Sequence, residues 1–119
     1  MGGKRWIGER VFVYRHSVDM RKGMDGLAAL VTLEFGRNPM DRCSYVFTNK
    51  NRDKIKLLIW HLNGYWVLYK RLEKQRFKWP DWFEGDSLTL TQDQLDYLLD
   101  GYDLNGMRPH RAVSYAAAF

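Results

Sequence analysis

The sequence has few of the residues that cross-link or anchor a chain. Cys43 is the single cysteine, which excludes an internal disulfide and a cluster of thiolate metal ligands. No glycine-rich phosphate loop precedes a helical pattern, because Gly23 and Gly26 lie inside one. No apolar run approaches the roughly 20 residues of a membrane span, and the N-terminus has no signal-peptide pattern. We therefore expect a cytoplasmic protein without metal or cofactor.

The composition is that of a folded domain. The chain has 119 residues, of which 45% are hydrophobic and 15% aromatic. That length suits one hydrophobic core and is too short for two. We predict a single domain over residues 1–106 and a loose C-terminal tail over 107–119, where no hydrophobic period is evident.

Positive charge is concentrated in the middle of the chain. The net charge of +5 divides into +2 for residues 1–41, +8 for 42–79 and −5 for 80–119. Such asymmetry indicates a polyanionic partner for one surface. The alternative is that the basic and acidic parts attract each other within a solvated surface.

Hydrophobic patterning predicts an α+β fold of order β-α-β-β-β-α. Asp19 is predicted to cap the first helix, while Thr91 and Gln94 form the capping box of the second, which ends at Gly101. We predict a small antiparallel sheet with a central β-hairpin and the helices packed on one face. The predicted strands are 10–15, 43–48, 54–61 and 65–72, and the first helix is 20–35.

The dipeptide Asn63-Gly64 is the strongest local signal, because it suits a two-residue type I′ turn. With these two residues in the turn, Lys56 would lie opposite Arg71. One hairpin face would then be apolar and face the core. Its members would be Ile55, Leu57, Ile59, Trp66, Leu68 and Leu72.

The other hairpin face would carry cations and aromatic rings towards water. Lys74, Arg76 and Lys78 continue the charge and alternate with Phe77 and Trp79. Cations meet phosphates and rings stack on bases, so this pattern suits nucleic acid. The alternative is that Trp60 and Tyr69 form a second hydrophobic layer around which the cations reach solvent. The candidate DNA-binding residues are Lys54, Lys56, Trp60, Tyr69, Arg71, Lys74, Arg76 and Lys78, with Arg21 and Lys22 at the start of the first helix.

Catalysis has little support in the sequence. Two-metal strand transfer needs acidic residues held together on a larger scaffold. Asp19 and the turn residues Asp41 and Asp53 have structural explanations, and the three histidines show no ligand spacing. We predict no catalytic residues and no metal ligands.

Four segments resemble one protein family. They are VDMRKGMDGLAALV (18–31), YVFTNKNRDKIKLLIW (45–60), GYWVLYKRLEKQRFKWP (64–80) and the acidic LTLTQDQLDYLLDGYDL (88–104). Together they are similar to the accessory proteins of insertion sequence family 66, called TnpB or Orf-two-like. The resemblance implies a protein that is encoded beside a transposase and assists transposition, without specifying a molecular action. The family often has Asp-Gly-Asp-Gly where this chain has His61 to Gly64, so any metal site there would be lost.

Three hypotheses follow. The first is a non-catalytic accessory domain that binds the DNA of the element ends with little sequence preference. The second is a module that docks on the transposase through the acidic segment Asp93 to Asp103. The third, an enzyme acting on nucleic acid, would need metal-dependent nicking that depends on Asp25 or Asp53.

Overall fold

A computed structural model describes residues 10–107 of the protein. The predicted tail, 107–119, therefore lies outside the described residues except for its first position. The strands are β1 (Arg10–Ser17), β2 (Cys43–Thr48), β3 (Lys54–His61), β4 (Gly64–Arg71) and β5 (Ser87–Leu90). The helices are α1 (Met24–Leu30), extended by a π-helical turn (Val31–Phe35), and α2 (Gln92–Leu99), followed by a 3-10 turn (Leu104–Met107).

The five strands form one mixed sheet in the order β4-β3-β2-β1-β5. β1 and β2 are parallel, since α1 returns the chain to the end from which β1 started, and the other neighbours are antiparallel. The predicted antiparallel sheet is therefore corrected to a mixed one. The β3–β4 hairpin lies at an edge, not in the centre. β5 was missed because four residues, SLTL, carry too short a pattern to stand out.

The sheet is covered on both faces, which corrects the prediction of helices on one face. Val11 and Val13 of β1 pack with α2, whereas Phe12 and Tyr14 pack with α1. All six residues of β2 are buried. Strands buried on both faces read as continuous apolar runs, and the segments RVFVY and CSYVF have that pattern.

The first helix begins later than its periodicity suggested. Asp19 accepts a hydrogen bond from the backbone N–H of Arg21 and from its guanidinium, and the N–H of Lys22 donates to the Asp19 carbonyl. Asp19 therefore closes a turn before the helix, and Gly23 is the N-cap. The prediction that Asp19 caps the helix is wrong because its side chain is engaged in that turn.

The second helix forms as predicted. The Thr91 hydroxyl accepts from the Gln94 N–H, and the Gln94 side chain accepts from the Thr91 N–H. Leu95 and Leu98 are buried, and Gly101, with φ of 95°, follows the helix end. Across residues 10–107, no helix combines the length and apolar character that crossing a bilayer requires.

Candidate nucleic-acid interface

The hairpin turn lies one residue earlier than predicted. His61 pairs with Gly64, so the turn residues are Leu62 and Asn63. Leu62 takes the left-handed conformation, with φ of 56°, in place of the expected glycine geometry. Each β3 residue consequently pairs with a β4 residue two positions earlier than expected. Because side chains alternate with period two, both hairpin faces keep their predicted members.

The shift changes which charged residues are neighbours. Lys56 lies opposite Tyr69, and Lys54 lies opposite Arg71, so the predicted Lys56–Arg71 pair is wrong. The Lys56 ammonium donates to the carbonyls of Met20 and Lys22, at 2.7 and 2.9 Å, and lies 5.5 Å from the centre of the Tyr69 ring. Lys56 therefore fastens the segment before α1 to the sheet.

Most of the remaining hairpin face is covered or paired. Leu58 is fully buried under α1, and the half-buried Trp60 packs edge-on against Tyr65 with ring centres 5.0 Å apart. Arg71 pairs with Glu73 at 3.1 Å, and Tyr69 is 54% exposed. The face that was expected to point to water is thus partly covered, with Leu58, Tyr65 and Val67 packed in the hydrophobic cluster beneath α1. The alternative interpretation does not hold for Tyr69, which is exposed.

The segment after β4 alternates between core and solvent. Phe77 and Trp79 are 2% and 5% exposed and belong to the core beneath α2. The Phe77 N–H donates to the Arg52 carbonyl at 2.7 Å, and the Trp79 indole N–H donates to the Tyr14 carbonyl at 3.0 Å. These rings cannot stack on bases, which corrects their predicted role. Their burial directs Lys74, Arg76 and Lys78 to the surface, where all three are exposed.

The strand registers bring further cations to the same end of the sheet. Ser17 pairs with Thr48, Thr48 with Ile55, and Lys54 with Arg71, so the C-termini of β1, β2 and β4 meet the start of β3. The β2–β3 turn adds Lys50 and Arg52. We name this surface the basic end. Its members are Arg15, Lys50, Arg52, Lys54, Arg71, Lys74, Arg76 and Lys78.

Ion pairing divides the basic end into two groups. Lys54 pairs with Asp53 at 3.3 Å, and Arg52 with Asp81 at 3.3 Å. Arg15 is held by a hydrogen bond instead, because its guanidinium donates to the Phe83 carbonyl at 2.9 Å. Within residues 10–107, no ion pair involves the second group of cations, which are Lys50, Lys74, Arg76 and Lys78. Sequence reasoning missed Lys50 and Arg52 because they lie in a polar turn more than 20 residues from Lys74 and Arg76. Only the sheet register brings them together.

Two hollows open at the basic end. One has a volume of about 410 Å³ and lies between the β2–β3 turn, the 76–82 segment and the 3-10 turn. The other, of about 380 Å³, is lined by Arg15, His16 and Ser17 and shares Lys50, Arg52 and Asp81 with the first. The basic end is therefore concave and cationic.

Arg21 and Lys22 lie elsewhere, in the turn before α1. Arg21 forms a salt bridge with Asp19 at 2.7 Å, and its hydrogen bonds lower the Asp19 pKa to about 2. The Lys22 side chain is exposed. These two cations adjoin Lys56 and are not members of the basic end.

The acidic candidates are dispersed. The Asp53 carboxylate accepts a hydrogen bond from the Asn49 side-chain amide at 2.6 Å, which lowers the pKa of Asp53. The Asp41 carboxylate accepts hydrogen bonds from the Arg37 guanidinium and the Tyr45 hydroxyl. In the part of the chain that the structure describes, no three His, Cys, Asp or Glu side chains are grouped as a metal site requires. His110 lies outside that part.

Fold and surface together define a small basic α+β domain with a cationic concavity at one end of its sheet. The model of the family described as IS66 Orf2-like protein matches residues 9–109, and the chain belongs to this insertion-sequence family. Two uncharacterized proteins of Sinorhizobium fredii are similar. Protein y4hO is 34% identical over 94 residues, which cover 79% of this chain and 81% of the relative. Protein y4jC is 31% identical over 96 residues, 81% of each. No solved structure matches.

Proposed function

We propose that this protein assists transposition of its insertion sequence by binding DNA, with little sequence preference, through the basic end. The observation that carries the proposal is the convergence of Lys50, Lys74, Arg76 and Lys78, exposed and without ion pairs within residues 10–107. Unpaired cations displace condensed counterions from phosphates, which is the main source of non-specific affinity for DNA. The role needs no catalytic residue of this chain.

The residues that the sequence suggested as DNA contacts would have three different roles. Lys54 and Arg71 are ion-paired members of the basic end and would add to its positive field. Lys56 would act indirectly, by holding the segment before α1 on the sheet. Trp60 would act through its edge-on contact with Tyr65. Tyr69, Arg21 and Lys22 would extend the surface along the α1 side.

The test is a titration of labelled DNA with purified protein across a salt series. For the wild-type protein, affinity should fall steeply between about 50 and 200 mM salt. The variant Lys74→Gln/Lys78→Gln should reduce the slope of log affinity against log salt by roughly 2, because each lost phosphate contact removes about 0.9.

The matched control is Arg10→Gln/Arg42→Gln. Both residues are exposed and lie at the starts of β1 and β2, the opposite end of the sheet from the basic end. This variant carries the same charge change and should leave the slope nearly unaltered. Equal losses in the two variants would reject the location, and no wild-type binding even at low salt would reject the function.

A second candidate function is docking on the transposase of the same element. Helix α2 buries Leu95 and Leu98 and exposes Asp93 and Asp100, so its outer side is acidic and could meet a basic partner. Co-purification of the two proteins after nuclease treatment separates the candidates. A complex that survives nuclease and is lost in Asp93→Asn/Asp100→Asn favours docking, whereas one that vanishes with the DNA favours the first function.

A further inference from the structure

The larger hollow at the basic end is lined by groups of opposite charge. Its lining includes the cations Lys50, Arg76 and Lys78 together with Asp103 from the segment that follows α2. The buried rings of Phe77 and Trp79 also line it. The hollow therefore offers both hydrogen-bond donors with positive charge and a carboxylate acceptor to a bound molecule.

The carboxylate of Asp103 is held in place. One of its oxygens accepts a hydrogen bond from the backbone N–H of Asn105 at 2.9 Å, which closes a tight turn at the start of the 3-10 segment. A second acid in the hollow, Asp81, has a different role, because it pairs with Arg52 at 3.3 Å. The two acids therefore differ: Asp81 neutralises a cation, whereas Asp103 lines the hollow and forms no ion pair within residues 10–107.

We propose that this hollow binds one unpaired nucleotide of a DNA strand, with its phosphate on Lys50, Arg76 and Lys78 and its base edge on Asp103. The inference rests on the proposed DNA-binding function and specifies the form of DNA that is bound. A carboxylate accepts hydrogen bonds from the exocyclic amine of cytosine, and adenine and guanine also carry such an amine, so this contact is compatible with little sequence preference. The cations meet the phosphate. The volume of about 410 Å³ lies in the range of small-ligand pockets, which suits a single nucleotide.

The deciding experiment compares two aspartate variants in one hollow. Binding of a labelled single-stranded cytosine tract of about 12 nucleotides, within the site sizes of single-strand-binding domains, is measured by fluorescence anisotropy. Asp103→Ala should weaken binding several-fold although it removes a negative charge. Asp81→Ala should strengthen it, because Arg52 is released. Both side chains are exposed, and a thermal melt verifies that each variant is folded.

Three further arms complete the test. The wild-type protein should bind the single strand several-fold more tightly than the same tract in a duplex. Lys50→Gln/Arg76→Gln should lose this preference, whereas Arg10→Gln/Arg42→Gln should keep it. Polyglutamate of similar charge should compete poorly with the cytosine tract.

Several results would overturn the inference. Tighter or unchanged binding by Asp103→Ala would show a purely electrostatic surface. Equal or better binding of the duplex, or effective competition by polyglutamate, would exclude a nucleotide site. In each of these cases the protein still binds DNA, whereas failure of the proposed function appears separately as no binding of either DNA form by the wild-type protein.

Discussion

The hairpin face towards α1 and the 74–79 segment have similar sequence patterns, but their side chains have different environments in the fold. Both alternate cations with aromatic or aliphatic residues. On the hairpin face, the Lys56 ammonium donates hydrogen bonds to two backbone carbonyls, and Trp60 is half-buried against Tyr65. In the 74–79 segment, the rings of Phe77 and Trp79 are buried and the three cations of the segment are exposed.

The difference lies in what packs on each side. The hairpin face is covered by α1 at Leu58, Tyr65 and Val67, which belong to the same hydrophobic cluster as Leu27 and Val31. Its central lysine, Lys56, stabilises the contact with the segment before α1. The 74–79 segment has its core on one side only, so alternate residues must point to solvent. A pattern of mixed cations and rings therefore indicates a binding surface only where nothing else covers it.

Replacing a buried ring beneath the basic end should have the largest effect on both stability and DNA affinity. Trp79→Ala removes a buried indole and its hydrogen bond to Tyr14, which should lower the free energy of unfolding by about 3–5 kcal/mol. DNA affinity should fall with it although every cation is retained, because the segment loses its attachment. Urea denaturation and anisotropy titration measure the two effects.

The control for this substitution is Trp66→Ala, at a position that is 52% exposed on β4. Its smaller buried area predicts a loss of roughly 1–1.5 kcal/mol, about half the contribution of a fully buried side chain. Similar losses for both tryptophans would contradict the view that the 74–79 rings are anchors.

Lys56 and Lys54 provide a second contrast. Lys56→Met keeps the aliphatic stem and leaves the Met20 and Lys22 carbonyls without their donor, so it should destabilise the protein by about 1.5–3 kcal/mol. Lys54→Met breaks only an ion pair near the surface and should cost less than about 1 kcal/mol. Chemical denaturation distinguishes them, and a larger cost at Lys54 would reverse the roles assigned to the two lysines.

The smallest expected effect is at the hairpin turn, and it has the opposite sign. Leu62 is 82% exposed and has a φ of 56°, so Leu62→Gly relieves left-handed strain at little cost in packing and should stabilise the protein by up to about 1 kcal/mol. Leu33→Gly, at a position 76% exposed in the right-handed π-helical turn, should instead destabilise it. We expect the melting temperature to rise for Leu62→Gly and to fall for Leu33→Gly.

The hairpin illustrates how far local patterns reach. Alternation along β3 and β4 predicted which residues share a face, and the two sets are unchanged in the structure because the register moved by an even number of residues. Trp66 was expected to face the core but is 52% exposed at the edge strand. The same alternation could not show that α1 covers the face with Lys56 and Trp60. That contact joins residues 34 and 36 positions apart, and no local period records it.

By itself, the sequence determined the elements whose causes are local: the Thr91–Gln94 capping box, the hairpin with its two faces, and the charge concentrated between residues 42 and 79. Tertiary structure alone decided which charges remain available to a ligand. Lys50 meets Arg76 and Lys78 only because β2, β3 and the 74–79 segment converge at one end of the sheet. This convergence depends on the strand order and on which face of the sheet each helix covers. Both are decided by how the apolar side chains of the entire domain are buried together, which no local pattern in the sequence records.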